Sequence, residues 1–299
     1  MLAAIPFPEI RPEIFSIDVG SFSFALRWYA LAYVVGILLG WRVAVAAAKR
    51  AALWPGSEPP LTPAQVEELV TAVILGIVIG GRLGFVLFYQ PGYYLAHPLE
   101  IPMIWQGGMS FHGGMIGVVV AGLLVWRKYR PNPLSLGDML ALATPPGILL
   151  GRIANFINAE LWGRPSDVPW AVVFPGAAAQ DCPDVAGLCA RHPSQLYEAG
   201  LEGLLLGGVL LVMAFGTGAL KRPGLITGLF LTGYAAARMF VEIFRQADPQ
   251  FITPGNPMGY VVWLGDAGLS MGQVLSLPML LVGLVLIWLS RTRLAHGRA

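Results

Sequence analysis

The residues of this chain that could do chemistry begin directly after a long apolar segment. The stretch from 151 to 165 reads GRIANFINAELWGRP and carries two arginines, two asparagines and a glutamate. Arg152 and Asn155 are three residues apart, a spacing that places both on one side of a helix. Because a guanidinium donates to two phosphate oxygens at once, we expect Arg152 to bind an anion, and a phosphate above all.

A second polar stripe lies near the end of a later apolar segment. Tyr234, Arg238, Glu242 and Arg245 follow one another at spacings of four, four and three residues, which a helix brings onto one face. The pattern predicts an Arg238–Glu242 ion pair and leaves one arginine for an acid elsewhere or for a bound anion. With Arg152, Arg238 would form a clamp for the phosphate of a lipid headgroup. The alternative is a salt-bridge ladder that holds two helices together.

A candidate proton acceptor stands among glycines. The stretch GGMSFHGGMIG, residues 107–117, contains His112, and glycine allows a ligand to approach the backbone closely. A histidine titrates near neutrality and is a natural general base. A capping or packing histidine is the competing interpretation. Ser110 raises the possibility of an intramembrane serine protease, but a Ser-x-His sequence is a poor geometry for a catalytic dyad and the serine lacks a glycine frame.

The composition indicates a membrane protein. Of 299 residues, 56% are hydrophobic and only 12% are charged, with mean hydropathy +0.66, whereas soluble domains have roughly 25% charged residues. The net charge of +2 and the lack of a basic, aromatic-rich run argue against a nucleic-acid partner. We also predict no cleavable signal peptide, no metal site and no cofactor, because the basic n-region, ligand spacing and nucleotide-binding loop that these require do not occur.

The apolar pattern predicts an all-α, polytopic fold with one integral-membrane domain over 1–299. Seven segments are long enough to cross a bilayer. They are residues 22–46, 66–89, 113–130, 134–157, 194–216, 223–244 and 271–290. Lys and Arg accumulate at alternate ends of these segments, which the positive-inside rule interprets as an outer N-terminus and a cytoplasmic C-terminus. Pro145 and Pro146 should interrupt the fourth segment.

Two long outer-side segments follow from this topology. Residues 90–112 contain many aromatics and resemble an arm that lies along the membrane interface. Residues 158–193 are the second outer-side segment, called the head segment, and contain Cys182 and Cys189. An oxidising exterior would permit a disulfide there, and two free thiols are an equal alternative.

Ionisable residues inside apolar segments are costly and usually functional. We expect Arg82, in the middle of its segment, to pair with Glu198 or Glu202, while Arg27 and Arg42 lie near segment ends and should snorkel to the interface. The absence of an internal repeat weakens an alternative function as a lipid or anion transporter. A structural membrane scaffold is a third, weaker alternative.

These residues together resemble the bacterial phosphatidylglycerol–prolipoprotein diacylglyceryl transferase family. The signature G-R-x-[GA]-N-F-[apolar]-N-x-E-x-x-G is matched at every position from Gly151 to Gly163. The resemblance extends over most apolar segments. It includes RWYALAY (27–33), GGRLGFVLFY (80–89), GGMSFHGGMIG (107–117), RHPSQLYEA (191–199) and RMFVEIFR (238–245).

The resemblance implies a function and a location. Members of the family move the diacylglyceryl group of phosphatidylglycerol onto the lipobox cysteine thiol of a prolipoprotein signal peptide. A thioether forms and glycerol-1-phosphate leaves, which is the first step of bacterial lipoprotein maturation. The implied setting is the bilayer of the bacterial plasma (inner) membrane, with the active site toward the outer leaflet. The implied fold is a helical membrane body with a small outward-facing head and arms.

The resemblance also completes the set of site residues. We expect four catalytic residues, which are His112, Arg152, Arg238 and Tyr234. The expected substrate-binding residues are Tyr29, Asn155, Glu160, Gly163, Glu242 and Arg245. In this hypothesis the arginines neutralise the leaving phosphate and His112 deprotonates the substrate thiol, while the sequence leaves open whether Glu160 contacts substrate or only braces Arg152 or Arg164.

Overall fold

The computed structural model describes residues 4–19, 22–182, 185–265 and 267–296. The chain divides into two compact units. One unit consists of Met1–Val43 with Gly137–Ala299, and the other is Ala44–Leu136. The prediction of one integral-membrane domain stays a prediction.

Helices dominate the described residues. In chain order they are α1 (Trp28–Ala48), α2 (Pro63–Phe88), α3 (Pro91–Ala96), α4 (Phe111–Tyr129), α5 (Pro133–Ala143), α6 (Pro145–Ile157), α7 (Ala177–Gln180), α8 (Ser194–Gly216), α9 (Leu225–Val241) and α10 (Met271–His296). The strands are β1 (Ile5–Pro6), β2 (Glu13–Val19), β3 (Phe22–Arg27), β4 (Val172–Val173), β5 (Tyr260–Leu264) and β6 (Ala267–Ser270).

Several helices are long and apolar enough to cross a membrane. Among the described residues five such spans occur, formed by α1, α2, the α5–α6 pair, α8 and the part of α10 up to Arg291, and α9 is a shorter apolar helix. The chain is thus mostly helical and has the character of a polytopic membrane protein, as the sequence predicts. The number seven and the orientation of the termini stay predictions.

The expectation of an all-α fold needs a correction at the N-terminus. β2 and β3 pair as an antiparallel hairpin, so α1 begins at Trp28 and not at 22. Aromatic and β-branched residues favour a strand where they alternate with small polar ones, which the apolar-run criterion does not detect. Arg27 ends β3 and pairs with Glu13 at 3.2 Å, both largely exposed. It therefore lies on the hairpin and does not snorkel from a helix. Two further two-stranded sheets join β1 with β4 and β5 with β6.

Within the 44–136 unit, glycines let α2 and α4 approach closely. Gly76, Gly80 and Gly84 recur every four residues on α2 and face Gly113 and Gly117 of α4. A Cβ added to Gly84 would lie only 2.7 Å from the Gly113 Cα atom. Small residues at four-residue spacing are the usual means of close helix packing in membranes, where packing and not hydrophobic exclusion drives association.

Side-chain caps fix the starts of both helices in this unit. Thr62 and Gln65 form a reciprocal capping box at α2. The Ser110 hydroxyl accepts a hydrogen bond from the Gly113 backbone N–H at 3.2 Å and so caps α4. Helix capping therefore explains Ser110, and its presence needs no interpretation as a protease nucleophile.

In the other unit, the predicted interruption of the fourth span is confirmed. α5 ends at Ala143 and α6 starts at Pro145, where proline at the first helical position needs no N–H partner. Asp138 of α5 is completely buried and caps α9: its carboxylate accepts from the backbone N–H groups of Gly224 at 2.8 Å and Thr227 at 2.7 Å. These hydrogen bonds connect α5, the first half of the interrupted span, to the start of α9.

Candidate active site

A cluster of partly buried arginines and buried glutamates joins α6, α8 and α9. Glu198 lies at its centre and is completely buried. Its Oε1 accepts a hydrogen bond from Arg238, and its Oε2 lies 3.2 Å from the Arg152 Nη1 atom. One carboxylate thus bridges the two predicted clamp arginines. Of the two alternatives that the sequence left open, an acid from elsewhere or a bound anion, Glu198 is the acid.

The stripe on α9 continues the cluster. Arg238 donates to Glu242, which confirms the predicted i, i+4 ion pair. Glu242 also accepts from Arg245 at 3.3 Å and from the Ser270 hydroxyl at 2.7 Å. α9 ends at Val241, so Arg245 reaches Glu242 from the turn that follows the helix and not from the helix itself. The contacts have the form of the ion-pair ladder that the sequence left as an alternative.

Tyr234 belongs to the same group of side chains. Its phenol interacts with Arg152, and Arg238, Glu198 and Glu202 lie within electrostatic range. The structure therefore brings together five of the predicted residues: Arg152, Tyr234, Arg238, Glu242 and Arg245. The geometry suits an anion because two guanidiniums point toward a common carboxylate in a site shielded from water.

A local widening of α8 places two glutamates beside this cluster. Residues Ala199–Leu205 have π-helical hydrogen bonding within the otherwise α-helical segment. Glu198 precedes the widened turn and Glu202 lies inside it, and both are completely buried. A Cβ added to Gly203 would lie 2.7 Å from the Leu149 Cα atom, so α6 packs directly against the turn. Single π-helical turns frequently occur at functional sites.

A second polar network connects α1 to the turn after α6. The Tyr29 hydroxyl donates to Glu160 Oε1 at 2.7 Å, and Asn155 Nδ2 donates to the same oxygen at 2.9 Å. Asn155 also hydrogen-bonds the Tyr29 hydroxyl. Within the described part of the chain, Glu160 forms no ion pair with Arg152 or Arg164; its contacts are with the tyrosine and the asparagine. The structure brings these three predicted residues together.

The turn that carries Glu160 is shaped by the stretch RHPSQLYEA. Ala159 and Leu161 both adopt left-handed backbone conformations, with φ of 53° and 55°. Such conformations are uncommon for residues with a side chain and mark functional or strongly supported turns. Ser194 donates to the Leu161 carbonyl at 3.0 Å and Gln195 donates to the Glu160 carbonyl at 2.5 Å. Sequence reasoning missed this support, although the polar residues at the start of α8 were its signal.

Gly163 is a point of close backbone contact. Its N–H donates to the His192 carbonyl at 2.8 Å, and a Cβ at this position would lie 2.7 Å from that carbonyl oxygen and 2.5 Å from the Phe244 carbonyl oxygen. The glycine therefore lets the turn pack between two other chain segments. Direct contact of Gly163 with substrate stays a prediction.

Arg191 is a structural residue that the sequence did not reveal. It is buried, stacks over the Trp162 ring at 4.0 Å and donates to the carbonyls of Ala179 at 2.6 Å and Gly163 at 3.3 Å. Its Nη2 also lies 3.0 Å from Cys182 Sγ, and Cys182 forms a disulfide with Cys189. The disulfide alternative is therefore the one that the structure contains.

Burial changes the acid–base properties of the head segment. Desolvation lowers the pKa of the His192 imidazole, and the ring Nδ1 lies 3.0 Å from the Tyr197 hydroxyl. Desolvation also lowers the pKa of the guanidinium groups of Arg164 and Arg191, with partial compensation from nearby oxygen groups. The partly buried imidazole of His192 packs between the rings of Tyr197 and Phe244.

The expectation for Arg82 is wrong. Glu198 and Glu202 face Arg152, while Arg82 is buried in the 44–136 unit and donates to backbone carbonyls. These carbonyls belong to Glu100 at 2.7 Å, Ile101 at 2.6 Å, Gly107 at 2.7 Å and Gly108 at 3.2 Å. A loop that presents several carbonyls satisfies a guanidinium as well as an acid does. Arg82 therefore shapes the predicted arm, 90–112, which contains α3 and two 3₁₀ turns.

His112 lies in the first turn of α4, in the 44–136 unit. Its side chain is exposed and makes an interaction within the protein. The capping of α4 is done by Ser110, so the alternative of a capping histidine loses its basis. The assignment of His112 as the general base stays a prediction.

The helices and the buried cluster together define a class: a mostly helical membrane protein with charged residues held inside its apolar helices. Comparison with known proteins identifies the family within this class. Residues 13–289 match the family model of prolipoprotein diacylglyceryl transferase, and the chain belongs to this family of transferases. The resemblance that the signature predicted is thereby confirmed.

Individual relatives agree along nearly the whole chain. A phosphatidylglycerol–prolipoprotein diacylglyceryl transferase of Ruegeria pomeroyi is 63% identical over 284 residues, covering 95% of this chain and 96% of the relative. One of Roseobacter denitrificans is 60% identical, covering 96% of this chain and 98% of the relative. One of Sinorhizobium medicae is 49% identical, covering 100% and 98%.

Proposed function

We propose that this chain transfers the diacylglyceryl group of phosphatidylglycerol to the lipobox cysteine of prolipoprotein signal peptides. The observation that carries the proposal is the pair of guanidiniums, Arg152 and Arg238, held by the single buried carboxylate of Glu198. Family membership supplies the substrates, and this pair supplies a site for the phosphate of the lipid.

The reaction needs charge stabilisation at one place. The substrate sulfur attacks the glyceryl carbon, a C–S bond forms and the C–O bond to phosphate breaks. The phosphodiester, which carries one negative charge, becomes the phosphate monoester of glycerol-1-phosphate and gains a second. Arg152 and Arg238 stabilise this developing charge, and low water content strengthens the interaction.

The thiol must lose its proton because the thiolate is the nucleophile. In the proposal His112 takes that proton, directly or through water. No cysteine of this chain is needed as a nucleophile, since the thiol belongs to the substrate and Cys182 and Cys189 are joined in a disulfide.

The remaining predicted residues position the reacting groups. Glu242 holds Arg238 through their ion pair and is itself held by Arg245. Tyr234 orients Arg152, and the network of Tyr29, Asn155 and Glu160 presents a hydroxyl and an amide to the glycerol headgroup. Gly163 keeps the turn after α6 in place. The amino-acid sequence contains no nucleotide-binding loop and no metal-ligand spacing. The proposed reaction requires neither a cofactor nor a metal.

The proposal includes a membrane arrangement. The chain forms one integral-membrane domain in the bacterial plasma (inner) membrane, crosses it seven times and has its N-terminus outside and its C-terminus in the cytoplasm. The active site opens toward the outer leaflet, with the segments 90–112 and 158–193 on that side. The five long apolar helices and the shorter α9 support this arrangement.

One reconstituted assay tests the function. The purified chain in a neutral detergent, given phosphatidylglycerol and a lipobox peptide, should release glycerol phosphate and add a diacylglyceryl mass to the peptide. A lipobox peptide with serine in place of cysteine is the control and should release none. A transporter would bind the lipid without release of glycerol phosphate. Binding without release by the folded protein therefore contradicts the transferase proposal.

A further inference from the structure

Glu202 is a buried carboxylate that has no role in the proposed transfer reaction. It is completely buried, and neither of its oxygens accepts a hydrogen bond from any residue that the structure describes. Its nearest ion-pair partner is Arg152, whose Nη2 atom lies 3.9 Å from Glu202 Oε2. Glu198 and Glu242, by contrast, each contact two arginines.

The six innermost charged groups balance when all are ionised. The arginines are Arg152, Arg238 and Arg245, and the glutamates are Glu198, Glu202 and Glu242. Two groups at the edge of the cluster carry opposite charges and keep the balance: Asp248 lies 3.6 Å from Arg245 and is 48% exposed, and Arg164 is within electrostatic range of Glu242. A phosphodiester that enters this balanced group brings one uncompensated negative charge. Burying an uncompensated charge is strongly unfavourable.

We propose that binding of the phosphatidylglycerol phosphate is coupled to the uptake of one proton by Glu202. The inference rests on the proposed function, since it takes Arg152 and Arg238 as the phosphate site. A proton from solvent binds to a carboxylate oxygen, no other bond changes, and the charge of the cluster returns to zero with the anion in place.

The contacts single out Glu202 among the three glutamates. Protonation of Glu198 would weaken the bridge between Arg152 and Arg238, and protonation of Glu242 would weaken contacts to Arg238 and Arg245. Protonation of Glu202 breaks no hydrogen bond within the described part of the chain. It also frees Arg152 from one competing carboxylate, so that the guanidinium is available to phosphate.

The groups that face Glu202 come from each helix packed against it. They are Arg152 on α6, Glu198 on α8 itself, Tyr234 and Arg238 on α9, and Glu242 directly after α9. Among the three glutamates, Glu202 has the weakest partners, because its nearest arginine nitrogen lies 3.9 Å away and neither of its oxygens accepts a hydrogen bond within the described residues.

Calorimetric counting of protons tests the coupling. A short-chain phosphatidylglycerol is titrated into the full chain in an uncharged detergent, at one pH near neutrality, in buffers with different ionisation enthalpies. The slope of the observed enthalpy against the ionisation enthalpy gives the protons taken up. The wild-type chain should take up a substantial fraction of one proton per lipid bound, and Glu202→Gln should bind the lipid with almost none.

The pH dependence gives a second measurement. Phosphatidylglycerol affinity of the wild-type chain should fall as pH rises, by at most about tenfold per pH unit for one coupled proton. Glu202→Gln should flatten this dependence, whereas Glu202→Asp retains a titrating carboxyl and should preserve it. Glu67→Gln, the same change at an exposed position of α2, should behave like the wild-type chain.

The outcomes separate this proposal from the function on which it rests. Lipid binding by the wild-type chain without proton uptake overturns the coupling and leaves the transferase intact. Uptake that is unchanged in a folded Glu202→Gln variant also overturns it. A wild-type chain that shows no phosphatidylglycerol binding contradicts the two-arginine clamp and with it this proposal. If Glu202→Gln does not fold, absence of uptake by the wild-type chain still overturns the proposal, and a pH dependence of lipid affinity that Glu202→Asp leaves entirely unshifted assigns the proton to another group.

Discussion

Asn155 and Glu160, five residues apart in the sequence, are hydrogen-bonded to each other through Nδ2 and Oε1 at 2.9 Å. The contact folds the turn after α6 back onto the helix end. It also aligns both side chains with the Tyr29 hydroxyl at the start of α1. Three polar groups from two helices therefore act as one unit, and removal of one changes the position of the other two.

Tyr29→Phe tests this unit. The substitution keeps the ring and removes the hydroxyl that donates to Glu160. A hydrogen bond to a charged group contributes roughly 1.5–3 kcal/mol, so we expect kcat/KM for lipidation to fall by about 10- to 100-fold. Steady-state assays of peptide lipidation at several phosphatidylglycerol concentrations measure it. Tyr33→Phe removes the hydroxyl of the ring stacked on Tyr29 and is the control. Equal loss in both variants would show that the hydroxyl of Tyr29 has no special role.

Arg238→Ala should abolish most phosphatidylglycerol binding. The change removes one half of the proposed clamp and leaves Glu198 with Arg152 alone. A buried charged hydrogen-bond pair that loses one partner costs several kcal/mol, so we expect affinity to fall at least about 100-fold. Binding of a fluorescent phosphatidylglycerol measures the loss.

A matched variant separates charge from geometry at this position. Arg238→Lys keeps the charge but not the two-pronged donor, and should recover only part of the affinity. If Arg238→Ala bound phosphatidylglycerol as the wild-type chain does, the clamp would be wrong. Thermal stability in detergent must be measured alongside, because Glu242 also loses its partner.

The i, i+4 and i, i+3 patterns in the sequence predicted the contacts that lie on one helix. The Arg238–Glu242 pair is such a contact, and helical periodicity predicts it without tertiary information. The break of the fourth span was predicted from the pair Pro145 and Pro146, which is also a local signal. The signature from Gly151 to Gly163 predicted the family for the same reason, since it lies on one continuous stretch.

The partners that come from other helices were beyond sequence reasoning. Glu198 or Glu202 was the expected partner of Arg82, yet Glu198 bridges Arg152 and Arg238, because nothing in a single sequence says which apolar helices pack together. The π-helical turn of α8 rotates Glu202 toward Arg152, and no residue pattern marks it. The N-terminal hairpin was missed since a run of apolar residues fits both a strand and a helix.

His112→Gln tests the assignment of the general base by its pH profile. Glutamine keeps a similar size but does not accept a proton, so turnover near pH 7 should fall by about 10²- to 10⁴-fold. A free cysteine thiol ionises with a pKa of about 8.5, so the substrate should supply its own thiolate at higher pH. Lipidation by the variant should therefore recover partly between about pH 7 and pH 9. Near-full turnover at pH 7 by a folded variant would remove His112 from this role.

Asp138→Ala should destabilise the chain without a direct effect on chemistry. The carboxylate is completely buried and accepts hydrogen bonds from Gly224 N–H, Thr227 N–H and the Thr227 hydroxyl. Loss of an N-cap with buried donors left behind costs about 2–3 kcal/mol. Thermal unfolding in detergent should show the lower stability. Asp138→Asn retains one acceptor oxygen and should be intermediate. Wild-type stability of Asp138→Ala would mean that another group caps α9.

Removal of the Cys182–Cys189 disulfide should loosen the head segment more than the buried arginine–glutamate cluster. The bond closes a short loop, for which the chain-entropy estimate of lost stability is about 2.5 kcal/mol. Arg191 contacts Cys182 Sγ and the Asp181 carbonyl at one end of its guanidinium and Gly163 at the other. Cleavage by protease between 176 and 190 should therefore accelerate in Cys182→Ser/Cys189→Ser. Limited proteolysis with mass spectrometry measures the cleavage rate, and reductant should sensitise the wild-type chain but not the double variant.

Phosphatidylglycerol binding should change less than threefold when the disulfide is removed, because Arg152 and Arg238 are held by α8 and not by this loop. A complete loss of lipid binding on reduction would instead place the loop in the lipid site.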